Sequence, residues 1–140
     1  MKEKEQYTFE DLCRTVQVLR SEHGCPWDRV QTHESMKKYL EEECGEVLEA
    51  IDSQDPDNLC EELGDVLYQI MMHSEMEKEK GNFSIEDVVD GICRKMIRRH
   101  PGVFSGEETA GNTGGAADWE EMKRRERKLR EKERENRKKP

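Results

Sequence analysis

Two pairs of acidic residues carry the spacing that chemistry needs. Glu43 and Glu46 are three residues apart, and so are Glu62 and Asp65. On a helix such pairs share a face, so each would present two carboxylates to the same neighbour. Each pair also borders an apolar stripe, with Glu43 one turn before Val47 and Glu62 one turn before Val66. If the two helices lie side by side and antiparallel, all four acids meet at the rim of one cleft. Carboxylates held that close repel, and without partners they become protonated or destabilise the fold. A hard divalent cation removes the conflict. Mg²⁺ takes oxygen ligands, keeps several waters and completes its shell with phosphates, so an all-carboxylate set suits it better than zinc, with Mn²⁺ as a substitute.

Neighbouring charges narrow the choice of ligands. Lys37 and Lys38 stand four residues before Glu41 and Glu42 and offer them local partners, whereas Glu43 is preceded at that distance by Tyr39. Glu41 is then a bystander. Glu42 can stand behind the ligands and accept a proton from a water, which makes Glu42 and Glu43 the candidate catalytic carboxylates. A chain this rich in charge also produces such spacings by chance, and most of them are solvated helix faces. A di-iron bundle is a weaker rival, because its sites use Glu-x-x-His and no His follows any of these acids by three.

The elements that must position these acids are helices throughout. Thr8 can cap a helix over about Phe9 to Glu22, with Asp11 in the capping-box position and a stripe of Leu12, Val16 and Leu19, and His23 and Gly24 end it. Cys25 to Glu34 shows no periodicity and reads as an ordered loop, extended at Pro26. Ser35 can cap a second helix, about Met36 to Ser53, whose stripe is Met36, Leu40, Cys44, Val47, Leu48 and Ile51. Asp55-Pro56-Asp57 reads as a turn. A third helix, about Asn58 to Lys80, carries Leu59, Leu63, Val66, Leu67, Ile70 and Met71 and closes at Gly81-Asn82. So short a connection makes the two long helices antiparallel. Ser84 can cap a fourth helix with Ile85, Val88, Val89, Ile92, Cys93 and Met96 on its stripe, and Pro101 stops it. The expected fold is an all-α, four-helix bundle-like protomer with an additional C-terminal helix. Its divisions are a catalytic helical domain over 1–105, a Gly-rich mobile loop over 106–117, and a charged helix and tail over 118–140.

Composition bounds the rest. Only 32% of the 140 residues are apolar and 41% are charged, so the core is thin and oligomerisation is the expectation, as a dimer or tetramer. The net charge of -9 divides into +4 over Asp118 to Pro140 and -13 before it. An acidic body argues against wrapping nucleic acid. The tail's mixed signs read as a solvated helix with pairs such as Glu120–Arg124 and Glu126–Arg130. Five cysteines without C-x-x-C spacing read as reduced thiols, and no apolar run suits a signal peptide or a membrane span, which together point to the cytoplasm. His23, His33, His73 and His100 receive no role. Met71, Met72 and Met76 read as core or interface.

Two further groups are candidates for holding a substrate. Lys95, Arg98 and Arg99 fall on the last turn of the fourth helix, where cations meet the helix dipole favourably whatever their function and where they can also bind phosphates. Trp27 and Asp28 lie in the aperiodic loop. Trp27 is either that loop's packing anchor or a platform for a base, and Asp28 can accept from a base or a sugar.

The chain resembles the MazG family of nucleoside triphosphate pyrophosphohydrolases, in the all-α pyrophosphatase superfamily, from about Phe9 to Lys128. The resemblance rests on Cys25-Pro26-Trp27-Asp28 with Gln31-Thr32, on Glu42-Glu43-Cys44-Gly45-Glu46, and on Glu62-Leu63-Gly64-Asp65. It extends to Lys95 with Arg98-Arg99-His100-Pro101 and Val103-Phe104, and to Trp119-Glu120 with Lys123. It implies Mg²⁺ held by Glu43, Glu46, Glu62 and Asp65, hydrolysis of a nucleoside triphosphate between its α- and β-phosphates, assembly as a dimer or larger, and a house-cleaning role. Family members often have His where Gly102 stands, and many carry two such domains in tandem where this chain has one. Two alternatives remain: hydrolysis of phosphoribosyl-ATP, disfavoured by the Cys25 to Asp28 and Arg98 to Phe104 motifs, and a non-enzymatic helical interaction module.

Overall fold

The starts of the longer helices of the first unit are fixed by side chains that satisfy the backbone N–H groups a helix leaves open. The computed structural model describes residues 3–104, 106 and 116–138, and the regular structure among them is helical. Helix α1 (Phe9–Leu19) opens on the expected capping box, in which Thr8 accepts from the Asp11 amide while the Asp11 side chain accepts from the Thr8 amide. Asp11 is buried and also takes Lys4 at 2.8 Å and Arg14 at 3.2 Å, and the hydrogen bonds from Lys4 and then Thr8 hold its carboxyl well below the usual carboxylate range. The helix ends three residues before the expected Glu22. Beyond it the chain doubles back so tightly that Cys25 donates to the Leu19 carbonyl at 2.9 Å and a Cβ on Gly24 would strike the Val18 and Leu19 backbone.

The segment expected to be an extended loop contains a short helix, α2 (Pro26–Val30). Cys25, the residue before the proline, is extended, as are Gln31 and Thr32 after the helix, and Pro26 takes the first helical position, where its missing N–H is harmless. Helix α3 (His33–Ser53) is capped by Thr32, not by Ser35; Ser35 is the reciprocal member of the box, three residues on. The expected turn at Asp55-Pro56-Asp57 is shorter than the sequence suggested. Asp55 caps helix α4 (Pro56–Glu79) by accepting from the Asp57 and Asn58 amides, and Pro56 is again the first helical residue. Gln54, in the left-handed region at φ 55°, completes the two-residue connection, and α3 and α4 pack along each other as an antiparallel pair. At the far end Gly81 (φ +77°) lets its own amide reach the Lys78 carbonyl and the Asn82 amide reach Glu77, which closes α4 in a Schellman motif. Helix α5 (Ile85–Arg99) follows, then a short α6 (Pro101–Phe104) and α7 (Ala116–Lys138). The expected mobile loop over 106–117 lies outside the described residues apart from Gly106 and the first residues of α7.

The chain divides into two compact units, Met1–Val89 and Asp90–Pro140. In the first, the core consists of Val16, Met36, Met71, Met72, Met76 and Ile85, with Leu12, Cys13, Tyr39 and Tyr68 packed against it. The three methionines of α4 are therefore core. Arg20 ties this unit together: its Nε and Nη2 fork onto Glu79 at 2.7 and 3.0 Å, and its Nη1 donates to the carbonyls of Asp28 and Gln31. Much of the expected stripe is not buried. Leu48, Ile51, Leu63, Leu67 and Ile70 of α3 and α4 remain exposed, Leu48 to 63% and Leu63 to 52%. Methionines supply the core on one side of the helix pair, while these apolar residues on the other side keep 37–63% of their surface exposed. In the second unit Glu126 turns to Arg98 and Arg99, so the expected Glu126–Arg130 pair gives way, while Glu121–Arg125 forms at 2.9 Å.

Truncating the core and truncating the surface should separate cleanly. Met72→Ala, at a fully buried position, should lower the unfolding free energy by ~2 to 5 kcal/mol in urea titrations. Val18→Ala, at a position 55% exposed, should change it by no more than ~0.5 kcal/mol.

Candidate metal centre

The α3–α4 hairpin puts the acids in register. Glu46 and Glu62 are equally far along the chain from Gln54, and so are Glu43 and Asp65, so an antiparallel pair sets Glu46 beside Glu62 and Glu43 beside Asp65. One carboxylate oxygen of each of the four lies within 4.8 Å of every other. Glu43 and Glu62 are half-buried, and each has an Oε2 that is shut off from solvent without a hydrogen-bond partner. Glu41 and Glu42 lie on exposed positions of α3, and Lys37 turns to Glu34 at 3.8 Å.

The crowding is visible in the proton affinities. The Glu62 carboxyl is pushed up to about 7, first by hydrogen bonding with Glu46, then by burial and by the charges of Glu46 and Asp65. Glu43 is pushed up as well, first by burial and then by Glu46. Four carboxylates with two orphaned buried oxygens and no cationic side chain among them are a hard, all-oxygen donor set, and a divalent cation such as Mg²⁺ fits it.

The polar seam continues along α4. Gln69 and His73 follow Asp65 at spacings of four, and both keep a buried polar atom, Gln69 Oε1 and His73 Nε2, without a partner. His73 stacks on His33, with ring centroids 4.9 Å apart and Nδ1 atoms at 2.7 Å, and His33 Nε2 meets Glu77 at 2.6 Å. Burial, then His33, pushes the His73 pKa down. Sequence reasoning left this trio without a role; its one signal was that His33 and His73 lie 21 and 19 residues from Gln54, at nearly the same height of an antiparallel hairpin.

The loop candidates separate. Trp27 is 47% exposed and sets its ring edge-on to Tyr39 at 5.6 Å. Asp28 is buried and accepts from the Tyr68 hydroxyl, which holds α2 against α4. In the second unit, Lys95 is half-buried and Arg98 is exposed, whereas Arg99 is buried beneath the Trp119 ring, 4.4 Å from its centroid, and against Glu126.

The MazG nucleotide pyrophosphohydrolase domain model matches residues 31–104, the stretch that holds all four acids and the basic cluster. The chain belongs to the MazG family. This MazG chain is 48% identical, over 121 residues, to a nucleoside triphosphate pyrophosphohydrolase/pyrophosphatase MazG of Thermotoga maritima; the match takes in 85% of this chain and 45% of that protein. It is 41% identical over 117 residues to a nucleoside triphosphate pyrophosphohydrolase of Escherichia coli, covering 83% of this chain and 44% of that one. The MazG chain thus spans less than half the length of these relatives. The crystal structure of a mazG-related protein from Thermotoga maritima superimposes with a TM-score of 0.63 at 29% identity, over 82% of this chain and 98% of that one.

The raised carboxyl pKa values have a definite sign. A carboxyl whose folded pKa exceeds its unfolded value adds stability below the unfolded pKa, and that contribution disappears as pH rises through the folded pKa. In chelator, the melting temperature of Glu62→Gln should therefore gain on the unsubstituted protein as pH rises from 4.5 through 7, and added Mg²⁺ should reverse the advantage. A difference that stays flat across this window, or that Mg²⁺ leaves untouched, would contradict a repelling acid cluster.

Proposed function

We propose that this MazG chain is a Mg²⁺-dependent nucleoside triphosphate pyrophosphohydrolase, cleaving a nucleoside triphosphate and water into the monophosphate and pyrophosphate. The observation that carries the reading is the convergence of Glu43, Glu46, Glu62 and Asp65 with two buried oxygens unpaired. The names of the relatives support the same reaction class. When bound, the cation supplies positive charge that offsets the charge of the phosphates and of the reaction's transition state.

The remaining work falls to side chains. Glu42, exposed on α3 beside the ligands, is proposed to accept the proton of the water that attacks the α-phosphorus. As that bond forms, the α–β anhydride bond breaks, and pyrophosphate leaves with its electron pair. Lys95, Arg98 and Arg99 are proposed to bind phosphate oxygens through charge-assisted hydrogen bonds. Trp27, half-exposed with one face free of Tyr39, is proposed as the base platform, and Asp28 supports it through α2. Among the described residues no helix is long and apolar enough to cross a membrane, and all five cysteines are free thiols. Both facts accord with cytoplasmic clearing of unwanted nucleotides.

We also propose a homo-oligomer. Leu48, Ile51, Leu63, Leu67 and Ile70 give the hairpin an uncovered apolar face, and a second copy of the hairpin is the partner whose surface matches it. Sedimentation at micromolar concentration should show a dimer or larger, and Leu63→Glu combined with Ile70→Glu should shift it to monomer. A monomeric unsubstituted protein would contradict this.

Pyrophosphate release from nucleoside triphosphates should require Mg²⁺ or Mn²⁺. Glu43→Ala, Glu46→Ala, Glu62→Ala and Asp65→Ala should each lower activity by at least ~100-fold while leaving the protein folded. Full activity in excess chelator would overturn the metal-dependent reading.

A further inference from the structure

The second unit is fastened by a carboxylate, Glu126, that sequence reasoning assigned only to a solvated helix. Helix α7 is exposed along most of its length, yet Glu126 is only 8% exposed. Its Oε1 accepts from Arg98 Nε at 3.1 Å, from Arg98 Nη2 at 2.6 Å and from Arg99 Nε at 3.0 Å. Its Oε2 accepts from Arg99 Nε at 3.1 Å and from Arg99 Nη2. Arg99 first, and then Arg98, hold Glu126 well below the usual carboxylate range, so it stays ionised. Arg99, 6% exposed, has the Trp119 ring over its guanidinium, and Lys123 lies 5.7 Å above the same ring.

Two adjacent guanidiniums repel, and a buried one needs a fixed counter-charge. One carboxylate between them cancels one of two positive charges and leaves a surplus of one. The edges it uses decide its role. Every bond to Glu126 comes from the Nε–Nη2 edge, and neither Nη1 has a partner among the described residues. Arg20 shows what that leaves available: Glu79 holds the same edge, and Nη1 still grips the Asp28 and Gln31 carbonyl oxygens at 2.7 and 3.1 Å. A carboxylate on this edge therefore does not spend the arginine. It immobilises it, with the Nη1 donors left for a second oxygen-rich partner, and two such arginines side by side suit an anion with adjacent phosphoryl groups.

We propose that Glu126 is a positioning residue, locking Arg98 and Arg99 side by side as one two-guanidinium grip for an oligophosphate and so making phosphate binding depend on α7. The proposal rests on the reading of these arginines as phosphate ligands. It distinguishes positioning from a latch that substrate must break, because a latch predicts tighter phosphate binding once the carboxylate is removed.

The test uses the full chain with Glu126→Gln and Glu126→Asp. Three quantities are read: calorimetric affinity for inorganic tripolyphosphate with Mg²⁺ present, affinity for Mg²⁺ alone, and kcat and KM for a nucleoside triphosphate. Glu126→Gln should weaken tripolyphosphate binding and raise KM by ~10-fold or more, with a smaller change in kcat and an unchanged Mg²⁺ affinity, and Glu126→Asp should recover part of the loss. Unchanged tripolyphosphate affinity and KM with a lower melting temperature would reduce Glu126 to a structural clasp and overturn the proposal, as would tighter binding. Should Glu126→Gln fail to fold, Glu126→Asp keeps the charge on a shorter arm, and normal phosphate binding by that variant would overturn the proposal equally. An unsubstituted protein that binds tripolyphosphate through this pair but releases no pyrophosphate from any nucleoside triphosphate would refute the proposed reaction and leave the role of Glu126 standing.

Discussion

The fold of the first unit is organised around a repulsion. Four carboxylates are drawn to one level of the α3–α4 hairpin, two of them with an oxygen cut off from solvent, and none of the four forms an ion pair with a lysine or arginine among the described residues. Left alone, such a cluster favours separating the helices. Opposing it are the Thr32 and Asp55 caps, the two-residue connection through Gln54, and a core of methionines on the far part of α4. The hairpin is thus anchored at its turn and along its methionine core, while the acidic level between is held together against its own charge. A bound divalent cation would turn the least favourable level of the seam into the most cohesive one, which couples ligand binding to the stability of the same helices.

The two units solve the problem of buried charge in different ways. In the second, Glu126 and the pair Arg98–Arg99 meet with good geometry, and the carboxylate is satisfied by five donated bonds. In the first, the quartet of Glu43, Glu46, Glu62 and Asp65 has no ion pair with a lysine or arginine among the described residues, and two of its oxygens stay unpaired. A satisfied cluster is a fastening. An unsatisfied one is a place where a ligand gains by entering.

Most of the helices and all four acids were legible in the sequence because both depend on local spacing. A three-residue interval fixes a helical face, and Thr8, Asp55 and Gly81 are strong local punctuation. What escaped was set by tertiary partners. The Cys25 to Glu34 stretch is too short for periodicity to reveal α2, and the choice of Thr32 over Ser35 as cap depends on where that short helix delivers the chain. Met71, Met72 and Met76 were read as core or interface and lie inside, but Leu48 and Leu63 of the expected stripes lie outside, because periodicity does not say which side of a helix finds a neighbour. The pairings of Glu126 with Arg98 and Arg99, of Asp28 with Tyr68, and of His33 with His73 join residues 27 to 40 positions apart and leave no local trace.

Metal binding by the acid quartet is what joins the fold of the first unit to the proposed chemistry. The most direct test is anomalous scattering from crystals grown with Mn²⁺. It predicts a strong manganese peak among the carboxylates of Glu43, Glu46, Glu62 and Asp65. Crystals saturated with Mn²⁺ that show no anomalous density among these four acids would contradict it.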